Sequence, residues 1–60
     1  MADGPVRVLL ADGQPLQRAG FRSVLAGRTD VDVVAEAGDG RAAVELARRL
    51  LPDVVVLDVA

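Results

Sequence analysis

Four branched apolar residues in a row, closed by a carboxylate, constrain this chain more than any other stretch: Val54-Val55-Val56-Leu57-Asp58. A short run of this kind reads as a strand buried on both faces, as in the interior of parallel α/β sheets. In open parallel sheets functional groups collect outside the carboxyl ends of the strands, and Asp58 stands at such an end. A second run, Val6 to Ala11, ends the same way on Asp12. If the two strands are parallel neighbours, both terminal acids lie on one edge of the sheet. That pair is the centre of the expected site.

With 60 residues the chain is at most one small domain, and a chain of this size buries only about 60% of the surface its unfolded form exposes. The apolar content is carried by Ala, Val and Leu, and Phe21 is the sole aromatic residue, which suits helices packed on a buried sheet. Neither cysteine nor histidine is present. That excludes disulfides, thiolate metal sites, the usual general base and the commonest zinc ligand. Seven arginines, no lysine and nine acids leave a net charge of −2, the wrong sign for a stand-alone nucleic-acid binder. The apolar runs fall far short of the roughly 20 residues of a membrane span, and Met1-Ala2-Asp3-Gly4-Pro5 has neither the basic start nor the apolar middle of a signal peptide. A soluble, cytoplasmic chain with no membrane partner is expected.

In chain order, residues 1–5 form a lead-in, with Pro5 suited to a strand entry, and Val6 to Ala11 is the first strand. Asp12-Gly13-Gln14-Pro15 is a loop, and Pro15 suits the first turn of a helix. From Leu16 to Ala26 the apolar positions Leu16, Ala19, Phe21, Val24 and Leu25 fit a helical stripe only loosely, with Arg18 and Arg22 marking the wet face; Gly27 ends the helix. Val31 to Ala37 alternates in part and reads as a strand nearer an edge, within which Glu36 has no assigned role. Gly38-Asp39-Gly40 is a turn whose Asp39 can cap the next helix. Arg41 to Leu51 is the clearest helix, with Ala43, Val44, Ala47, Leu50 and Leu51 facing inward. Glu45 and Arg49 form an outer i,i+4 pair worth about 0.3 kcal/mol, Arg48-Arg49 is a solvated face, and Pro52 stops the helix. Crossovers of this length between strands force parallel pairing of right hand. A sheet of three such strands leaves the last one bare on one side, an open pairing edge. The sequence reads as unfinished.

The segments Val6-Arg7-Val8-Leu9-Leu10-Ala11-Asp12, Gln14-Pro15, Arg18-Ala19-Gly20-Phe21-Arg22, Val33-Val34-Ala35-Glu36-Ala37, Asp39-Gly40 and Pro52 to Asp58 together resemble, in order and spacing, the first half of a bacterial response-regulator receiver domain. The phrasing is most similar to receivers linked to a LuxR-like helix-turn-helix output domain. The resemblance spans residues 6–59. It implies an α/β, flavodoxin-like fold, here partial: a three-stranded parallel sheet of order 2-1-3 with two helices, residues 6–60 forming the N-terminal half of the domain. It also implies signal reception in a two-component system and transcriptional control through a DNA-binding output domain outside this chain. The implied partners are a sensor histidine kinase and a second copy in a homodimer. The chain is not expected to be an enzyme.

By the same resemblance Asp58 is the phosphoacceptor, Asp12 belongs to the acidic pocket, and both contribute to a Mg2+ site. Such an ion needs hard oxygen ligands converging from neighbouring strand ends, and the carboxylate attacks phosphorus while the ion neutralises charge on the transferring group. The family carries two adjacent acids after its first strand; here the second position is Gly13, which has no side-chain oxygen. Weaker magnesium affinity is expected from it, and ordinary phosphorylation is open to loss. Two alternatives stand beside this reading. One is a degenerate or truncated receiver that acts through protein contacts without phosphorylation. The other is a dinucleotide-binding βαβ fragment in which Gly38 and Gly40 admit a pyrophosphate and Asp58 holds a ribose hydroxyl; a carboxylate at Asp39 would repel those phosphates.

Overall fold

In the computed structural model, which describes residues 4–58, the chain alternates strand and helix: β1 (Val6–Asp12), α1 (Pro15–Ala26), β2 (Val31–Ala37), α2 (Gly40–Leu50) and β3 (Val54–Asp58). The lead-in residues 1–3 and the last two positions lie outside the described residues. Element types and order agree with the sequence reading, and boundaries move by one residue: β1 takes in Asp12, α1 begins at Pro15, and α2 runs from Gly40 to Leu50.

The sheet is parallel throughout, in the order β2-β1-β3, so the most apolar strand is central. Leu9 and Leu10 are both 0% exposed, although successive strand residues point to opposite faces. The sheet is therefore covered on both sides at β1. Ala11, Ala37 and Ala43 form the core cluster under α2, with Ala42 and Leu46 packed against it. Small side chains there let the helix lie close to the strand ends. Between Val8 and Leu9 the β1–β2 register slips by one residue, leaving Val34 as the extra position on β2.

Each helix is bounded by local chemistry. Pro15 occupies the first turn of α1, and Gln14 takes the N-cap position without a side-chain cap. Asp39 caps α2, its carboxylate accepting the Ala42 N–H at 2.8 Å. At the other end of α2, Leu51 adopts the left-handed conformation (φ 49°) and Arg7 donates to the carbonyls of Leu50 and Leu51 at 2.7 and 3.1 Å. The β1–β3 join is reinforced where Arg7 N–H meets the Asp53 carboxylate and Asp53 N–H meets the Arg7 carbonyl, both at 2.8 Å.

Four expectations are corrected. β3 is not buried on both faces: Val54, Val55 and Leu57 are 45, 44 and 55% exposed, because the helices lie over β1 and β2 and β3 pairs with β1 alone. The α1 stripe does not form a buried face either, and Leu16, Phe21 and Val24 are exposed. On α2 the inward set shifts: Leu46 packs on the core, Leu51 is exposed, and Val44, half-exposed, lines an open apolar cavity with Val55 and Leu57. Among the described residues the ion pairs are Arg18–Glu36, Arg22–Glu36 and Arg28–Asp30, so Glu45 and Arg49 do not close a salt bridge.

Candidate functional site

The strand register sets the site. Asp12 and Asp58 end β1 and β3 and are direct partners in the parallel ladder, which puts both carboxylates on one edge of the sheet as the sequence led one to expect. They line a cavity of about 220 Å³ together with Ala11, Gly13, Gly38 and Asp39. The α2 N-terminal turn forms one wall, and the turn after β1 forms another.

Asp12 is 3% exposed, the one buried charged residue among those described. Its Oδ1 accepts the Gln14 N–H at 2.8 Å. That bond turns the chain out of β1 and toward α1. Its Oδ2 has no hydrogen-bond partner. A buried carboxylate oxygen in this state is an unmet acceptor, the kind of atom a cation or a donor-bearing ligand satisfies. Asp58 is partly exposed, and the side-chain amide of Gln17 donates to its Oδ2. Gly13 is exposed, and a Cβ there would meet only the Gly38 carbonyl, at 3.4 Å. The position thus accepts a side chain as readily as it does without one.

Two residues that the sequence reading placed elsewhere belong to this edge. Arg18, expected on the wet face, reaches back to donate to the Asp12 carbonyl at 2.6 Å and pairs with Glu36 at 3.3 Å. Arg22 joins the same Glu36 at 3.2 Å. Glu36 therefore has a role: it fixes the two arginines of α1 against β2. Gln17 was overlooked and Arg18 placed on the wrong face, yet a signal was there. The first turn of a crossover helix sits at the carboxyl edge of the sheet, so polar residues one turn after Asp12 fall beside the acids. Asp39 acts as the expected cap, and its carboxylate occupies the helix N-terminus where the dinucleotide reading needs a pyrophosphate.

Among the described residues no group of three or more His, Cys, Asp or Glu side chains converges as a metal site. The two carboxylates still fit a magnesium ion that retains most of its water, since such ions are commonly held by one or two carboxylates plus phosphate oxygens. The unmet Asp12 Oδ2 is the structural sign of that fit.

No protein-family profile matches the sequence. Individual relatives do. The chain is 52% identical over 54 residues to the uncharacterized transcriptional regulatory protein YxjL of Bacillus subtilis, covering 90% of this chain and 25% of that protein. It is 48% identical over 54 residues to the nitrate/nitrite response regulator protein NarP of Escherichia coli, with the same coverage of 90% and 25%. The chain matches response regulators of the NarL/LuxR type over about 90% of its length at 39–52% identity, which fits a receiver domain. It spans about a quarter of the length of these curated relatives. A further relative is the protein-glutamate methylesterase/protein-glutamine glutaminase 3 of Paramagnetospirillum magneticum, 44% identical over 57 residues, which are 95% of this chain and 16% of that protein. The shared stretch is a small part of that protein. No helix among the described residues is long and apolar enough to cross a membrane.

Proposed function

We propose that this receiver accepts a phosphoryl group on Asp58 from a sensor histidine kinase and forms the N-terminal half of the receiver of a transcriptional regulator, with DNA bound by an output domain outside this chain. The observation that carries the reading is the register pairing of Asp12 with Asp58 at the carboxyl edge of the sheet. The names of the relatives support the regulatory setting. In the transfer, an Asp58 oxygen attacks phosphorus and forms an acyl-phosphate bond. The P–N bond to the kinase histidine breaks, and the imidazole leaves with the electron pair. Asp12 and Asp58 would hold the magnesium ion, which supplies neutralisation of charge on the transferring group. Asp12 is fixed for this by Gln14 N–H and by the hold of Arg18 on its carbonyl. Gln17 holds the Asp58 carboxylate toward the first turn of α1.

The test is incubation with a small acyl phosphate in the presence of magnesium, followed by intact mass analysis. One added phosphoryl group is expected on the wild type and none on Asp58→Asn. Modification that survives Asp58→Asn, or none with any donor, overturns the reading. A second reading, action through contacts alone, draws on the exposed apolar residues of β3. It predicts partner capture that is indifferent to Asp58→Asn and lost on Leu57→Asp.

A further inference from the structure

We propose that Gln17 supplies the third oxygen ligand of a divalent-cation site built on Asp12 and Asp58, filling with a side-chain amide the role left vacant at Gly13. The inference rests on the strand-end reading above and extends it to a residue of α1.

Among the described residues, the side chains of the edge bring few oxygens for a cation. Asp12 brings a buried oxygen with no partner, and Asp58 brings a carboxylate at the paired ladder position. Gly13 brings no side chain. Asp39 lines the same cavity, but its carboxylate is engaged in capping α2 at Ala42 N–H. Glu36 is held by Arg18 and Arg22. No third acid, histidine or cysteine converges among the described residues. The carboxamide of Gln17 reaches one of the two acids, donating to Asp58 Oδ2. It stands one helical turn beyond the loop after β1, on the same edge of the sheet.

A carboxamide has two faces to offer. Its nitrogen carries two donors and its oxygen accepts, and a half-turn about the last side-chain bond exchanges the two without moving the backbone. With no cation, the N–H on Asp58 satisfies one carboxylate oxygen. With a cation between Asp12 and Asp58, the half-turn presents Oε1 to the metal, a hard oxygen of the kind magnesium, manganese and calcium prefer. The cavity of about 220 Å³ leaves room for several retained waters at roughly 30 Å³ each. The ligand is neutral. The site therefore carries the charge of two carboxylates instead of three, which makes it weaker and more dependent on phosphoryl oxygens to complete the shell.

The experiment is calorimetric titration of the full chain with Mn2+ and with Mg2+, each variant first checked for the wild-type circular dichroism spectrum. Gln17→Leu weakens binding by about tenfold, the scale seen when a residue supporting a metal is lost. Gln17→Glu, which returns the third charge, tightens it by a comparable factor, and this gain does not depend on a variant failing. Gly13→Asp places an acid where the backbone has room for it; in that background Gln17→Leu changes affinity by less than about twofold, because the position is already filled. Wild-type affinity in Gln17→Leu, or effects of Gln17→Leu and Gly13→Asp that simply add, overturns the proposal. If such a Gln17-independent ion is lost in Asp58→Asn, the strand-end reading survives; an ion indifferent to Asp58→Asn overturns both. Absence of binding in the wild type and in Gly13→Asp alike also overturns the proposal, while phosphorylation of Asp58 reports on the reading beneath it.

Discussion

Replacing Asp12 by asparagine isolates what the acidic edge costs the fold. Asp12 is 3% exposed and its Oδ2 has no partner; leaving a buried polar atom unmet costs on the order of 1–3 kcal/mol. Its ladder partner is a second carboxylate, Asp58, on a strand roughly 4.8 Å away. Two like charges at about 5 Å repel by roughly 3 kcal/mol at an effective dielectric constant near 20, and by about 1 kcal/mol in bulk water. Asp58 is partly exposed and Gln17 donates to it, so the lower part of that range applies. Asparagine keeps an oxygen for the Gln14 N–H, held at 2.8 Å in the wild type. It removes one charge, and the amide nitrogen at the Oδ2 position stays a buried polar atom as the oxygen was. Without cations Asp12→Asn is therefore more stable by about 1 kcal/mol, and each kcal/mol moves Tm by roughly 4–8 °C in a domain this small. Urea melts followed by far-UV circular dichroism, in EDTA and in millimolar magnesium, measure this directly. The wild type gains about 2.7 kcal/mol at a hundred times the dissociation constant, the variant gains little, and the two curves change order between the conditions. A variant less stable than the wild type in EDTA refutes the reasoning.

Three further outcomes follow from named contacts. Leu51 is 74% exposed and left-handed at the end of α2, so Leu51→Gly relieves backbone strain of about 1–2 kcal/mol, offset in part by added freedom of the unfolded chain, and raises the urea midpoint by a net ~0.5–1 kcal/mol. Asp39→Ala removes the cap on Ala42 N–H and lowers stability by about 1 kcal/mol; a midpoint unchanged from the wild type would show that water replaces the cap in full. The hydrogen bond from Arg28, its largest cause, holds Asp30 below the ordinary value of 3.8, and Arg28 is raised in return. A depressed folded-state value means that this contribution is present above the ordinary carboxylate range and is lost as pH falls through the folded value. Carbon-13 titration of the Asp30 carboxyl should give a midpoint under 3.8 that rises in Arg28→Gln.

What was legible in the sequence is what depends on local pattern. The Val/Leu run of residues 6–10, Pro15 at a helix start, Asp39 before a helix and Pro52 after one each act on their own neighbours, and each element appears where these residues put it. Parallel pairing and the meeting of Asp12 with Asp58 followed from crossover length and strand ends. The burial of β3 was misread because a run of branched residues reports how apolar a strand is, whereas its exposure depends on what packs against it. Here the helices lie over β1 and β2, and Val54, Val55 and Leu57 stay uncovered. Leu51 was read as inward because its spacing continues the α2 stripe, but the left-handed turn at that residue takes it off the helix face.

The loose periodicity of α1 has the same physical root as the overlooked site residues. A helix that buries only apolar side chains shows a clean stripe; α1 instead spends successive positions on polar contacts to the sheet. Gln17 holds Asp58, Arg18 holds both the Asp12 carbonyl and Glu36, and Arg22 holds Glu36 again. These contacts reach all three strands, two of them through the acids at the site. No residue of α1 is fully buried, so these polar contacts add to a partly exposed apolar packing. A change at Asp58 that displaces the Gln17 amide therefore acts on a helix with no fully buried residue, and the Arg18 contacts at Asp12 and Glu36 lie on the next residue. Hydrogen exchange of the α1 amides should accordingly rise in Glu36→Gln more than that of the β1 amides, because Leu9 and Leu10 hold β1 independently of the polar clamp. Equal changes in both elements would mean that α1 is held by packing after all, and that the arginines contribute no more than surface ion pairs usually do.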